Sequence, residues 1–468
     1  MSTSEALPQI IQGGMGVAVS NWRLANAVSR AGQLGVISGT GMDTVLVRRL
    51  QDGDPGGHVR RAMERFPIPG VAQEVLRRYF NPNGRAEGAA YKLLPMYKQV
   101  VSAARQRVTM LANFVEVSLA REGHDGPVGI NLLTKVQMPN MASLYGAMLA
   151  GVNVVLMGAG IPREIPGVLD ALAEHRLATL RFDVEGLGRE ETELLRFDPR
   201  EHWAPSGVLE RPRFIAVVAA ASLAATLARK SNGRVDGFVV EGPTAGGHNA
   251  PPRGELRLSD RGEPVYGDRD IVDLAKLREL SLPFWLAGGA GSPEGRWAAL
   301  AGGAAGIQVG TLFAYCDESG IAPNVKQRVL EAVAAGEASV RTDPRASPTG
   351  YPFKIVELPG EPDPAERPRI CDIGYLRTPA RTAAGKLVYR CPAEPVDAYV
   401  AKGGSAAETV GRRCLCNGLV ASVGYAQTRA TEDEQPLVTS GDDLLHISRF
   451  LGERRGYTAH DVITYLLS

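Results

Sequence analysis

Eight short apolar runs recur between residues 8 and 313 of this 468-residue chain, and segments with helical periodicity separate them. The runs are continuous rather than alternating, which is typical of parallel strands buried on both faces of a sheet. Strand followed by helix, repeated around a sheet, predicts a closed (β/α)8 TIM barrel of the α/β class. A doubly wound open sheet is the alternative. The runs are 8–14, 34–41, 127–134, 153–160, 213–220, 237–242, 283–290 and 306–313.

Two long departures from this rhythm predict additions to the barrel. The residues between the second and third runs have helical character, so we expect a helical insertion at about 44–122. From about residue 341 the alternation stops, and a proline-rich stretch leads into the C-terminal residues. We therefore expect a barrel domain over 1–355 and a cysteine-containing C-terminal extension, 356–468, that packs on the barrel.

Charge and hydropathy argue against a nucleic-acid or membrane partner and against secretion. The formal net charge is +1, which gives no electrostatic reason to expect a nucleic acid or a membrane surface as partner. The N-terminus lacks the basic start and apolar stretch of a secretory signal. The most apolar helical stretch, 214–228, is too short to cross a bilayer. We expect a cytoplasmic protein with reduced thiols.

Glycines follow the seventh and eighth runs, where barrels of this kind often bind phosphate. The seventh run ends in the sequence AGGAGS at 287–292, and the eighth ends in Val309-Gly310-Thr311. Bare backbone lets N–H groups point at an anion, and a helix starting at Pro293 would add its positive N-terminal end. No glycine-rich run completes a dinucleotide or Walker fingerprint. This pattern favours the phosphate of a mononucleotide over the alternative of tight turns alone.

Three further strand ends carry groups suited to a planar ring. The first run ends in Gly13-Gly14-Met15, which offers flat backbone and a soft thioether. Asn131, in the third run, has an amide that both donates and accepts hydrogen bonds. The sixth run leads into two glycines followed by His248. An imidazole with a pKa near 6.5 can act as base or donor, so His248 is the main catalytic candidate. A loop histidine bonded to backbone is the alternative.

Five motifs in this order resemble the nitronate monooxygenase family, also called 2-nitropropane dioxygenase-like. They are IIQGGMG (10–16), GINL (129–132), EGPTAGGH (241–248), LAGGAGS (286–292) and VGTLF (309–313). The resemblance covers roughly residues 8–355 and implies an FMN-binding barrel with His248 as the catalytic histidine. It implies cofactor contacts from Gly13, Gly14, Met15, Asn131, Glu241, Ala245, Gly246, Gly247, Gly288, Gly289, Gly310 and Thr311.

The family resemblance leaves three activities open. The first is an FMN-dependent oxidoreductase that oxidises alkyl nitronates with O2. The second is a trans-acting enoyl-acyl-carrier-protein reductase that uses NAD(P)H, because such reductases share the Gly-Gly-His segment. The third is a flavin-binding protein without turnover. Ala250 stands where many members have glycine, which leaves the substrate open between a nitronate and an enoyl thioester. An acyl carrier protein, received by an arginine-rich insertion, and a homodimer are possible partners.

Four of the five cysteines lie in the C-terminal hundred residues, at Cys371, Cys391, Cys414 and Cys416. Four thiols can close a tetrahedral zinc site or hold an iron–sulfur cluster. The paired Cys-x-x-Cys knuckles typical of such sites are missing from this spacing. Buried free thiols are therefore the alternative.

Overall fold

The computed structural model describes residues 7–188, 190–361, 367–429, 433–452 and 454–468. The strands are β1 (Ile10–Gln12), β2 (Leu34–Ser38), β3 (Val128–Leu133), β4 (Val154–Gly158), β5 (Ala178–Phe182), β6 (Glu193–Phe197), β7 (Arg213–Val218), β8 (Gly237–Glu241), β9 (Phe284–Ala287), β10 (Gly306–Val309), β11 (Ser339–Asp343), β12 (Phe353–Glu357), β13 (Thr378–Arg381) and β14 (Leu387–Arg390).

Eight of these strands close a parallel barrel in the order β1-β10-β9-β8-β7-β4-β3-β2. Each of the eight predicted apolar runs contains one of them. The predicted (β/α)8 barrel is therefore confirmed, and the open sheet is excluded. Outside the barrel, β5 pairs with β6 in an antiparallel hairpin. Two more hairpins, β11 with β12 and β13 with β14, follow the last barrel strand.

Alternation of side chains along the strands fills the barrel with its own small core. Ile11, Val36, Leu156, Val239 and Trp285 pack together in the interior and are almost wholly buried. Their immediate neighbours along the strands belong to the larger core under the helices. The barrel is thus packed rather than open, so a ligand can enter only at a rim.

The helices surround the barrel and also fill the long gap between β2 and β3. They are α1 (Trp22–Arg30), α2 (Met42–Gln51), α3 (His58–Met63), α4 (Val71–Tyr79), α5 (Ala103–Ala120), α6 (Asn140–Leu149), α7 (Ile165–Ala173), α8 (Ala221–Lys230), α9 (Leu274–Arg278), α10 (Pro293–Ala301), α11 (Thr311–Ala314), α12 (Pro323–Ala334), α13 (Val396–Ala401), α14 (Leu415–Ser422), α15 (Ile447–Leu451) and α16 (Ala459–Leu467). Within the described parts of the chain, no helix is long and apolar enough to cross a membrane.

Several arginines of the helical insertion form ion pairs with acidic side chains nearby. Arg105 of α5 is 5% exposed and pairs with Asp43 of α2 at 2.6 Å. Arg61 and Arg65 both pair with Glu122. Arg105 is therefore not available to an acyl carrier protein at the surface of the insertion, because its guanidinium is buried against the Asp43 carboxylate.

The residues after β12 are bonded to the barrel side by buried polar contacts. Arg296 of α10 donates to the carbonyl of Leu466 in α16 at 2.6 Å. Arg48 of α2 donates to the carbonyl of Tyr425. Backbone carbonyls that accept from buried guanidinium groups fix these C-terminal elements against helices of the barrel layer.

Candidate active site

A cavity of about 240 Å³ opens at the C-terminal ends of the barrel strands. It is lined by every residue that the sequence predicted for the flavin site except Gly289. The adjacent Gly288, which was also predicted, does line the cavity. The predicted residues that line it are Gly13, Gly14, Met15, Asn131, Glu241, Ala245, Gly246, Gly247, His248, Gly288, Gly310 and Thr311. Their individual roles stay predictions.

The glycines after β9 adopt a conformation that other residues rarely take. Gly288 and Gly289 have φ values of +85° and +69°. A Cβ atom at Gly288 would lie 2.9 Å from the backbone nitrogen of Ala245. Ser292 then caps α10 by accepting from the Gly295 N–H at 3.0 Å. A bare backbone edge followed by a helix N-terminus is suited to an anion.

The tip of β1 is stiffened by a buried amide. Gln12 is wholly buried and donates to the Ser20 hydroxyl at 2.7 Å, while its oxygen accepts from the Val36 N–H at 3.0 Å. A Cβ atom at Gly14 would lie only 2.3 Å from the Cβ atom of Asn131. Glycine at position 14 therefore lets β1 approach the Asn131 side chain closely.

His248 is held by residues that follow β11. Its Nε2 atom lies 2.7 Å from the Ser347 hydroxyl, and that hydroxyl lies 2.8 Å from the hydroxyl of Thr349. Ser347 is fully buried. The His248 ring packs edge-on against Phe353, with centroids 4.8 Å apart. These contacts fix the orientation of the ring and occupy one of its two nitrogens.

Backbone pairing holds the same loop on both sides of the histidine. The Gly247 carbonyl accepts from the Lys354 N–H at 2.9 Å, and the Asn249 N–H donates to the Pro352 carbonyl at 2.9 Å. The Gly247 N–H donates to the Thr439 hydroxyl at 2.9 Å. His248 is therefore a rigidly positioned side chain at the cavity wall.

Burial sets the charge of two titratable groups on the barrel strands and loops that line the cavity, His248 and Glu241. It lowers the pKa of His248 to about 4, so the imidazole is neutral at pH 7. It raises the pKa of Glu241, at the end of β8, to about 8, so this carboxyl carries its proton at pH 7. The cavity is thus lined by a neutral base and a neutral acid at pH 7.

The sequence reasoning missed Gln308 and Thr40. Both line the cavity, and Gln308 Oε1 and Thr40 Oγ1 are buried without a hydrogen-bond partner among the described residues. Buried polar atoms are nearly always paired, so these oxygens suit a polar ligand. A single polar residue in the apolar run GIQV was the available signal for Gln308.

The sequence also missed a wall that comes from the chain beyond the barrel. This C-terminal wall gave no motif, because its members come from helix α14 and from irregular segments that lie far apart in the sequence. It includes Tyr375, Leu376, Leu415, Cys416, Leu419, Val420, Thr439, Ser440, Gly441 and Asp443.

The structure gives no support to the zinc or iron–sulfur site considered for the four C-terminal cysteines. All are free thiols, and only Cys416 among them lines the cavity. Burial raises the pKa of Cys371 to about 12, which keeps its thiol protonated. Within the ranges that the structure describes, no group of three or more His, Cys, Asp or Glu side chains is arranged to hold a metal.

Residues 205–342 match the family model for nitronate monooxygenase. A probable nitronate monooxygenase of Bacillus subtilis is 40% identical over 98 residues, which cover 21% of this chain and 26% of that protein. The nitronate monooxygenase of Paraburkholderia phytofirmans is 31% identical over 188 residues, which cover 38% of this chain and 47% of that protein. The matches thus span about a quarter to a half of the curated relatives. They confirm the family resemblance that the motifs predicted.

Among solved structures, the nitroalkane oxidase of Streptomyces ansochromogenes is similar, with a TM-score of 0.44 and 17% identity. That similarity covers 98% of this chain and 94% of the other.

Proposed function

With the nitronate monooxygenase match of residues 205–342 as premise, we propose that this chain is an FMN-dependent oxidoreductase that oxidises alkyl nitronates with O2. One observation carries the proposal. A glycine edge beside a helix N-terminus, unsatisfied polar side chains and His248 all meet in one cavity at the C-terminal rim of the barrel. That rim is where barrel enzymes carry their active sites.

The residues present fit such a cofactor. Gly288, Gly310 and Thr311 would hold the phosphate, while Asn131 and Gln308 would meet the polar edge of the ring. The unpartnered Gln308 oxygen is an acceptor that a ring N–H satisfies. When bound, FMN supplies the electron acceptor for the substrate and the site that reacts with O2.

His248 would meet the substrate through its second ring nitrogen. Because Ser347 engages Nε2, the Nδ1 atom is the one left for substrate. If the Ser347 hydroxyl donates to Nε2, the ring proton resides on Nδ1 and can be donated to a nitronate oxygen. If Ser347 accepts instead, Nδ1 is a base for the α-proton of a neutral nitroalkane. The neutral imidazole permits both states.

The proposal is tested by mixing the flavin-loaded protein with propyl nitronate in the absence of oxygen. We expect the visible flavin spectrum to change on mixing, and O2 to be consumed when air is admitted. NADPH in place of nitronate should leave the spectrum unchanged. Absence of any response to nitronate would contradict the proposed activity.

A second candidate activity is the NAD(P)H-dependent reduction of an enoyl thioester. It is favoured by the apolar part of the C-terminal wall, since Leu376, Leu415, Leu419 and Val420 offer a surface to an acyl chain. In that case NADPH bleaches the flavin, and a crotonyl thioester restores its colour. An acyl carrier protein would then be the natural partner.

Glu241 gives this site a pH dependence that can be measured. Its raised pKa means that the carboxyl is neutral below about pH 8 and becomes an anion above it. If the neutral form receives the flavin, FMN affinity should fall by as much as about tenfold per pH unit above pH 8. Glu241→Gln should remove this dependence, measured by quenching of FMN fluorescence between pH 7 and 9.

The exposed Glu255 on the following loop provides a matched control for Glu241. Glu255→Gln should retain the loss of affinity above pH 8. An FMN affinity that stays constant to pH 9 in the wild-type protein would contradict the role given to Glu241.

A further inference from the structure

A carboxylate of the C-terminal wall faces the predicted phosphate end of the cavity. Asp443 lines the cavity together with Gly288 and Thr311. A Cβ atom at Gly291 would lie 2.7 Å from Asp443 Oδ2, so the carboxylate packs against the bare backbone of the loop before α10. The Gly291 N–H lies close enough to lower the pKa of Asp443, although burial raises it overall. Asp443 thus lies where the glycine loop would receive an anion.

The segment that carries Asp443, residues 439–443, is bonded to the barrel loops. The Gly441 N–H donates to the Thr311 hydroxyl at 3.1 Å, and the Asp442 N–H donates to the Thr244 carbonyl at 3.0 Å. A Cβ atom at Gly246 would lie 2.8 Å from the Gly441 nitrogen. The backbone of Asp443 is therefore fixed at the phosphate end of the cavity, because moving it away would break these hydrogen bonds.

The charge of Asp443 is not neutralised by an ion pair. The neighbouring Asp442 pairs with Lys354 at 2.7 Å, whereas no lysine or arginine pairs with Asp443 in the part of the chain that the structure describes. The charged groups that act on Asp443 are Asp442 and His446. Asp443 acts in turn on Tyr465, which Glu294 and Arg449 also influence.

We propose that Asp443 determines how much negative charge the phosphate end of this site accepts. An ionised Asp443 opposes the phosphate of a bound mononucleotide across a partly desolvated cavity, where charges interact more strongly than in water. It therefore weakens the binding of FMN relative to a flavin without phosphate. This inference rests on the proposed FMN site and adds a residue that tunes its specificity.

The test compares FMN with riboflavin, which lacks the phosphate, on wild-type protein and on Asp443→Asn. Asparagine has the same shape and still accepts from the Gly291 N–H, so the fold is retained, which thermal unfolding verifies. At pH 7.5 and low salt, we expect Asp443→Asn to bind FMN about tenfold more tightly than wild type. Riboflavin affinity should stay unchanged, and the gain for FMN should shrink at 0.5 M salt.

Asp442→Asn is the matched control, since it removes the same charge one residue away. Its carboxylate is paired with Lys354 and does not line the cavity, so the ratio of FMN to riboflavin affinity should stay at the wild-type value.

Unchanged or weaker FMN binding by Asp443→Asn, or an equal gain for riboflavin, would overturn the role of Asp443 while leaving the flavin site intact. Wild-type protein that binds neither flavin would overturn the proposed function and this inference together.

Discussion

Replacing His248 with asparagine should lower nitronate turnover by about 10²- to 10⁴-fold while bound FMN is retained. Asparagine fits the space and offers an amide to Ser347, but it cannot exchange a proton with the substrate as an imidazole does. The expected flavin contacts come from other residues, such as Asn131 and Gly288, so cofactor binding should survive. Steady-state oxygen uptake measures turnover, and the visible absorbance of the purified variant measures flavin content.

The chain offers a matched control for this substitution. His460 lies exposed on α16, away from the cavity, and His460→Gln should leave both turnover and flavin content unchanged. Loss of FMN from His248→Asn would indicate that the imidazole holds the cofactor rather than acting on substrate. Wild-type turnover in a flavin-loaded His248→Asn protein would show that the catalytic assignment is wrong.

The barrel was predictable because its strands are buried on both faces. Such strands read as continuous apolar runs, and the barrel contains all eight that the sequence indicated. The hairpin strand β5, with the sequence ATLRF, pairs with β6 outside the barrel. Its apolar and polar residues alternate, and so do its buried and exposed side chains, as in a strand with one solvent-facing side.

The floor of the candidate site was predictable for a related reason. Residues at the ends of parallel barrel strands converge at one rim, so motifs far apart in sequence could be placed together. His248 and Gly310 were assigned to one site in this way. The wall formed by Tyr375 and residues 439–443 was not predictable, since it depends on long-range packing of irregular chain that carries no periodic pattern.

Ser347, the hydrogen-bond partner of His248, was likewise not predictable from the sequence. Ser347 lies 99 residues beyond His248, in a stretch that the sequence marks only as proline-rich. Its hydroxyl reaches Nε2 because Phe353 and Lys354 pair with the histidine loop. Neither composition nor spacing encodes a pairing between two short segments at such a separation.

The largest effect on stability is expected at a buried ion pair between α2 and α5, which a hydrogen bond from Tyr375 connects to the C-terminal wall. Asp43 and Arg105 have side chains that are 2% and 4% exposed, and their charged atoms lie 2.6 Å apart. Thr109 donates to the same carboxylate at 2.7 Å, and Tyr375 donates to its other oxygen. Asp43→Asn leaves the Arg105 cation buried without its counter-charge, which should lower the free energy of unfolding by about 3–5 kcal/mol.

Acid should remove the difference in unfolding free energy between wild type and Asp43→Asn. Burial alone would raise the pKa of Asp43, but the Arg105 guanidinium and the hydrogen bonds from Tyr375 and Thr109 hold it below its usual value. A carboxyl with a lowered pKa stabilises the fold above its unfolded pKa, near 3.9, and loses that contribution as the pH falls through its folded pKa. Urea unfolding followed by circular dichroism should therefore show wild type and Asp43→Asn converging below about pH 4.

Two further variants separate the ion pair from the general effect of losing a carboxylate. Asp260 is exposed, so Asp260→Asn should change the free energy of unfolding by less than about 0.5 kcal/mol. Tyr375→Phe removes only a hydrogen bond and should cost about 1–2 kcal/mol. Because the Tyr375 side chain also lines the cavity, this loss should come with weaker FMN binding. If Asp43→Asn matched Asp260→Asn at pH 7, the buried ion pair would not be a major contribution to the free energy of unfolding.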